Sequence, residues 1–180
     1  MNKGSIKLIM FFGAFTLVIL IVAISCSTKS ITRPSPIANK PLDKETFTLK
    51  PFGYEPTIKN FRVYLPSSFK LQVYSMKNIH NPSVIDTIYR FHQSKSEFFI
   101  YKNVNNREMF FAGNIYTTKI KLNNGVKVGM DRSEFYKCFT NMKTSTRDTI
   151  RVSTKRATNS INFIFKKNKL DVIKIDNYID

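Results

Sequence analysis

The chain has 180 residues, of which 29 are Lys or Arg and 12 are Asp or Glu, giving a formal net charge of +17; 42% are hydrophobic, with 16 Phe, 8 Tyr and only 2 Cys. The apolar fraction excludes a disordered polyelectrolyte and supplies a sizeable core for one domain. Two cysteines exclude the multi-disulfide framework of many small exported domains, so packing must carry the stability.

Lys3 and Lys7 precede an apolar run over residues 8–24 that stops at Ser25-Cys26. A basic start, an apolar middle and a small residue before a cleavage point form a secretory signal. The quartet Ala23-Ile24-Ser25-Cys26 resembles the end of a bacterial lipoprotein signal, in which the Cys is lipidated and becomes the new N-terminus. That resemblance implies a signal over residues 1–25, lipidation at Cys26 and a membrane-anchored address outside the cytoplasm, expected at the outer membrane facing the periplasm. An uncleaved signal anchor is the alternative, because the run approaches the roughly 18 apolar residues that suit a transmembrane helix. Both readings put the remainder on the same outer side. Residues 26–45, rich in Ser, Thr and Pro, read as a flexible tether, and residues 46–180 as the folded domain.

Within that domain, residues 47–49 alternate briefly before Pro51, Gly53 and Pro56. Residues 57–65 alternate and predict a strand that ends at Pro66. Residues 69–76 fit both a strand through Phe69, Leu71 and Val73 and a helical stripe through Phe69, Val73 and Met76. Residues 86–91 and 97–102 predict a hairpin turning through residues 93–96. Residues 108–112 and 114–122 are further strand material, closed by the turn Asn123-Asn124-Gly125. Asp131 and Glu134 then have the spacing of a reciprocal helix cap, with Met130 as a hydrophobic staple on Phe135. Phe135, Cys138, Phe139 and Met142 form one apolar helical face behind it. Residues 148–153, 161–166 and 170–178 predict three strands, the last two joined by a tight turn at Lys167-Asn168.

The expected class is therefore α+β, an antiparallel sheet with one or two helices packed on it. Residues 69–77 align without gaps on residues 135–143, Asp86-Thr87-Ile88 matches Asp148-Thr149-Ile150, and residues 96–103 resemble residues 160–167. This order suggests two tandem helix-plus-hairpin units, over residues 46–115 and 116–180. Val126-Lys127-Val128-Gly129-Met130, followed by the capped helix and antiparallel strands, resembles the G-M-x-x-x-x-V signature of the SmpA/OmlA outer-membrane lipoproteins. Tandem copies of such a unit are similar to the fold of the β-lactamase inhibitor proteins. The resemblance implies an α+β architecture and an outer-membrane address.

The chemistry-bearing residues point away from catalysis. His80 and His92 lie in polar stretches, with no Cys, Asp or Glu spaced to complete a metal site. Cys138, with His92 and Asp86 as conceivable helpers, occupies the apolar helical face, where Cys behaves as a small hydrophobe. Neither a phosphate loop nor a dinucleotide fingerprint occurs, and no cofactor is implied. Loss of Lys3 and Lys7 with the signal leaves +15 of the +17, which attracts anions at long range. In an envelope those are lipid or glycan phosphates or an acidic protein rather than nucleic acid. Lys166, Lys167 and Lys169 form a candidate anion-binding cluster at a hairpin tip. The expectation is a non-enzymatic binding or scaffold lipoprotein. An inhibitor- or immunity-type protein for an acidic partner, and a Cys138-dependent hydrolase, are the alternatives.

Overall fold

A computed structural model describes residues 41–78 and 80–178. Cys26, the signal and most of the tether lie outside the described residues. The described chain forms one seven-stranded antiparallel sheet in the order β1-β2-β3-β4-β7-β6-β5. The strands are β1 Lys70–Lys77, β2 Ile85–Gln93, β3 Ser96–Lys102, β4 Glu108–Ile115, β5 Thr149–Ser153, β6 Asn159–Lys166 and β7 Lys169–Asn177. Three short helices accompany it: α1 Lys44–Leu49, α2 Ile58–Tyr64 and α3 Arg132–Lys137. The α+β class holds, with sheet dominating and three helices rather than one or two.

Alternation builds the sheet. Phe98 and Ile100 on β3, Ile161, Phe163 and Phe165 on β6, and Ile173 and Ile175 on β7 point to one face and are buried. All three helices lie on that face. Phe61 of α2 packs on Phe98 at a ring-centroid distance of 5.2 Å. Phe135 of α3 packs on Phe163 at 4.7 Å, and Phe47 of α1 on the same Phe163 at 6.0 Å.

Strands β2-β3-β4 and β5-β6-β7 form two antiparallel meanders that meet through β4 and β7. Each carries a bulge at the corresponding place. Phe111 is the extra residue opposite Phe99/Ile100, and Asp171 the extra residue opposite Ile164/Phe165. The central pair Asn114↔Lys174 relates the halves, since Gly113↔Ile175 on one side mirrors Ile115↔Ile173 on the other. Phe98 is thus the counterpart of Phe163. The resemblance of residues 96–103 to 160–167, which sets Phe99 on Phe163, is displaced by one residue and joins opposite faces. The match of residues 69–77 to 135–143 joins a strand to a helix and has no structural meaning.

Several local expectations change. Residues 57–65 are helical, because Ile58, Phe61 and Leu65 are the buried residues, a helical rather than an alternating set. Thr57 caps that helix by accepting from the Asn60 N–H at 3.2 Å. Residues 47–49 are the end of α1, capped by Asp43, which accepts from the Thr46 N–H at 2.9 Å. Residues 69–76 resolve into strand β1. Residues 116–122 form no strand. Helix α3 stops at Lys137, with Cys138 as its C-cap and Phe139 and Met142 beyond it. Asp131 occupies the N-cap position without a side-chain capping bond. The end of the tether is not free: Leu42 N–H donates to the Cys138 carbonyl at 3.2 Å, and Thr140 N–H to the Leu42 carbonyl at 2.9 Å. Helix α1 therefore packs with the C-terminal meander, not with the half that follows it in sequence.

Gly113 sits in the β4–β7 ladder, where an added Cβ would lie 2.8 Å from Phe98 Cδ1 and 3.2 Å from Phe110 Cζ. The missing side chain is the space that Phe98 fills. Gly113→Ala is expected to destabilise the fold by about 1–3 kcal/mol through overpacking. Chemical denaturation should show a lower midpoint, and an unchanged midpoint would show that Phe98 shifts freely.

Candidate interaction surfaces

The basic hairpin tip forms as expected. Lys167 and Asn168 both take left-handed conformations, with φ of 50° and 61°, as a two-residue turn between antiparallel strands requires. Lys166 and Lys167 are exposed and make no ion pair among the described residues. Lys169 is engaged, its Nζ 3.1 Å from Asp131 Oδ1. The carboxylate expected to cap α3 is drawn to this lysine, and Glu134 pairs with Lys137 at 2.7 Å instead of reaching back to the cap. The tip is docked to the start of α3 by backbone bonds, Arg132 N–H to the Asn168 carbonyl at 2.8 Å and Leu170 N–H to the Met130 carbonyl at 2.8 Å.

Beside the tip, an open cleft of about 710 Å³ lies between α3 and residues 144–147. Two of its polar side chains, Arg132 and Tyr136, are committed to the backbone of that loop. Arg132 donates from Nη1 to the carbonyls of Ser145 (3.1 Å) and Arg147 (2.6 Å). Its guanidinium also lies 4.4 Å from the Phe165 ring centroid, a cation–π contact. Tyr136 Oη donates to the Ser145 carbonyl at 3.0 Å and accepts from the Ser145 N–H at 2.7 Å. The cleft is a clamp on a loop, and sequence reasoning missed it because its acceptors are backbone carbonyls.

Cys138, His92 and Asp86 are not brought together. Cys138 is partly buried, and its thiol donates to the Glu134 carbonyl at 3.4 Å. Burial first, and the nearby Glu134 charge second, push its pKa up, the reverse of what an attacking thiolate needs. His92 lies on β2, which three intervening strands separate from β6 beneath α3. Four ladder steps of about 4.8 Å put roughly 19 Å between those strands. Asp86 is 1% exposed. Its Oδ2 accepts from Tyr101 Oη at 2.5 Å and from Asn78 Nδ2 at 2.7 Å. The Tyr101 bond lowers its pKa against the opposing effect of burial, and the same bond raises that of Tyr101. Asp86 thereby pins the β1–β2 connection to β3.

The helix-free face of the sheet is divided. Over β1–β4 it carries Tyr74, Ile88, Phe99, Tyr101 and Met109, all partly exposed. Arg90 lies across Phe99, 5.9 Å from the ring centroid, and pairs with Glu97 at 2.9 Å. Over β5–β7 the same face is polar, with Arg151, Asn162, Lys174 and Asp176. No family model matches this chain, and neither a curated protein nor a solved structure does.

Two measurements check these assignments. Iodoacetamide should modify Cys138 more slowly in the native protein than in urea-unfolded chain, and equal rates would mean an exposed, activated thiol. Asp86→Asn should lower the denaturant midpoint at pH 7. Because the folded pKa of Asp86 is depressed, its contribution is full above the unfolded carboxyl value of about 3.9 and fades as pH falls through the folded value. The gap between wild type and variant should therefore narrow at acid pH. A gap constant from pH 7 to about pH 2 would mean that ionisation of Asp86 has no part in it.

Proposed function

We propose that this chain is a non-enzymatic, lipid-anchored binding or scaffold module of the bacterial cell envelope, held at the outer membrane through Cys26 and facing the periplasm. The observation that carries the binding reading is the one-sided sheet. All three helices cover one face, which leaves a half-exposed aromatic strip over β1–β4 for a partner. The raised pKa of Cys138 and its separation from His92 and Asp86 weigh against the hydrolase alternative. The mature charge of +15 favours an acidic partner or an anionic lipid or glycan surface, with Lys166 and Lys167 as the free part of the cluster that includes Lys169. The same charge supports a second reading, an inhibitor- or immunity-type protein that occupies an acidic partner.

The bulge-for-bulge correspondence of the two meanders supports a finer reading of the fold as two tandem copies of a helix followed by antiparallel strands. Phe61 on Phe98 and Phe135 on Phe163 are then the equivalent helix anchors. Gly129, with φ of 86° just before α3, is the residue that links this arrangement to the SmpA/OmlA-like signature. Under this reading β1 and α1 are additions to the duplicated unit.

The test has two parts. Cys26→Ala should abolish incorporation of labelled palmitate and leave an unprocessed precursor; normal processing would overturn lipid anchoring. The lipid-free domain should capture an envelope component at low salt and release it at about 1 M salt, where the screening length falls to about 3 Å. Capture indifferent to salt would remove the electrostatic basis of the partner assignment.

A further inference from the structure

We propose that β1 is a docking edge, and that its occupant is an extended segment of a partner protein with acidic residues at both ends, added to the sheet as a further strand. This inference rests on the binding-module reading above and names the place and the partner. Strand β1 is eight residues long and pairs with β2 without a break, from Lys70↔His92 to Lys77↔Ile85. Among the described residues its other side has no strand neighbour, so a row of backbone N–H and C=O groups faces outward, a template for another strand.

Sheet edges are commonly protected by brevity, charged side chains (Lys above all), Pro, a bulge or a covering element. The opposite edge, β5, uses three of these. It has five residues, carries Arg151 at its centre and packs against α1. Strand β1 has charge alone, and only at its two ends, Lys70 and Lys77: residues 71–76 contain no Pro, no Gly and no charge, and its ladder has no bulge. At its centre Val73 is 55% exposed and Tyr74 44% exposed, one on each face of the sheet. A strand laid alongside would cover both.

Charge selects the occupant. Lys70 and Lys77 close the two ends. A second copy paired antiparallel about the centre of β1 would set Lys70 against Lys77 at each end and bring together two strongly basic chains. Like charges directly opposite destabilise a strand pair. The chain's own residues 27–40 suit the edge no better, since they hold Lys29, Arg33 and Lys40, no acid, and Pro34 and Pro36. Proline cannot donate to a ladder. A segment with a carboxylate opposite each terminal lysine, and apolar or β-branched residues between, meets both the charge and the exposed Val73 and Tyr74.

The test uses the mature protein and two eight-residue peptides, Glu-Val-Thr-Val-Thr-Val-Thr-Glu and the same sequence with Lys at both ends. Fluorescence polarisation should show the acidic-ended peptide binding at least about tenfold more tightly, given the modest worth of each exposed ion pair. Lys70→Glu with Lys77→Glu should reverse that preference, and amide exchange along β1 should slow when the preferred peptide is bound. Equal affinity for the two peptides, or a preference that survives the double charge reversal, would overturn the proposal. So would a dimer in sedimentation that the double reversal leaves intact, because the second copy would then be the occupant. Val73→Pro, checked for folding by its melt, should abolish peptide binding; where it does not fold, the charge reversal decides. If the folded Val73→Pro variant still captured its envelope partner, the binding-module reading would stand and the β1 assignment would fall.

Discussion

The ladder between β4 and β7 joins the two meanders into one sheet, and it spans only four residue pairs, Ala112↔Asp176 to Ile115↔Ile173, with Asn177 Nδ2 donating to the Phe110 carbonyl beside it. Its strength comes from what lies on it. Gly113 leaves room for the Phe98 ring, and Ile115, Ile173 and Ile175 are buried across the seam. Because the ladder continues one sheet through both halves, a single continuous core of Phe and Ile forms beneath three helices that are each too short to be stable alone. Shifting this register by one residue would turn Ile115 and Gly113 to the open face and expel the residues on which α2 rests.

Aromatic contacts take the place that disulfides hold in many exported domains. Phe61 meets Phe91, Phe98 and Phe110 at 5.5, 5.2 and 5.8 Å, two of them edge-on. Phe135 meets Phe139, Phe163 and Phe165 at 5.0, 4.7 and 5.2 Å. Each such pair adds about 0.5–1.5 kcal/mol beyond its buried area. Phe47 joins the second cluster from α1, and Leu42 is bound to the backbone at Cys138 and Thr140. The segment that leads into α1 therefore meets the C-terminal meander, while the exposed edge β1 lies at the far end of the sheet order from β5, against which α1 packs.

What the sequence revealed follows the range of the forces involved. Turns are local, so the Lys167-Asn168 hairpin and the hairpin through residues 93–96 were legible from residue type alone. Strand β5 was legible because it alternates cleanly, and β6 and β7 because β-branched and aromatic residues fill them, although the bulge at Asp171 interrupts the alternation of β7. Helix α2 was misread because Phe61, Val63 and Leu65 mimic a strand; burial of Ile58, three residues before Phe61, decides the matter only once the sheet exists. Asp131 holds the N-cap position that the sequence assigns it, but without the expected side-chain bond. Its cap geometry is local, but Lys169, distant in sequence, offers an ion pair that competes for the same carboxylate. The bareness of β1 was invisible, since strand order is not a local property. Of the candidate site residues, Lys166 and Lys167 have no ion pair among the described residues, whereas Lys169 is half of a pair.

The charge imbalance is sharper in the folded protein than in the composition. Of the 12 acidic residues, eight are tied within the fold. Asp43 caps α1, and Glu108 accepts from the Ile58 N–H at the start of α2. Asp86 is buried with Tyr101. Glu45, Glu97, Asp131, Glu134 and Asp148 each face a Lys or Arg. Few carboxylates remain to offset the other basic side chains, so the surplus positive charge is directed outward. Exposed pairs of this kind contribute little to stability, but they fix where acids cannot act as counter-ions. Among the described residues no carboxylate pairs with Lys70 or Lys77 along β1. The same allocation of charge that holds the helix ends in place thus leaves the unprotected edge flanked by two free cations, and a partner strand is selected by its acids before any side chain on it is read.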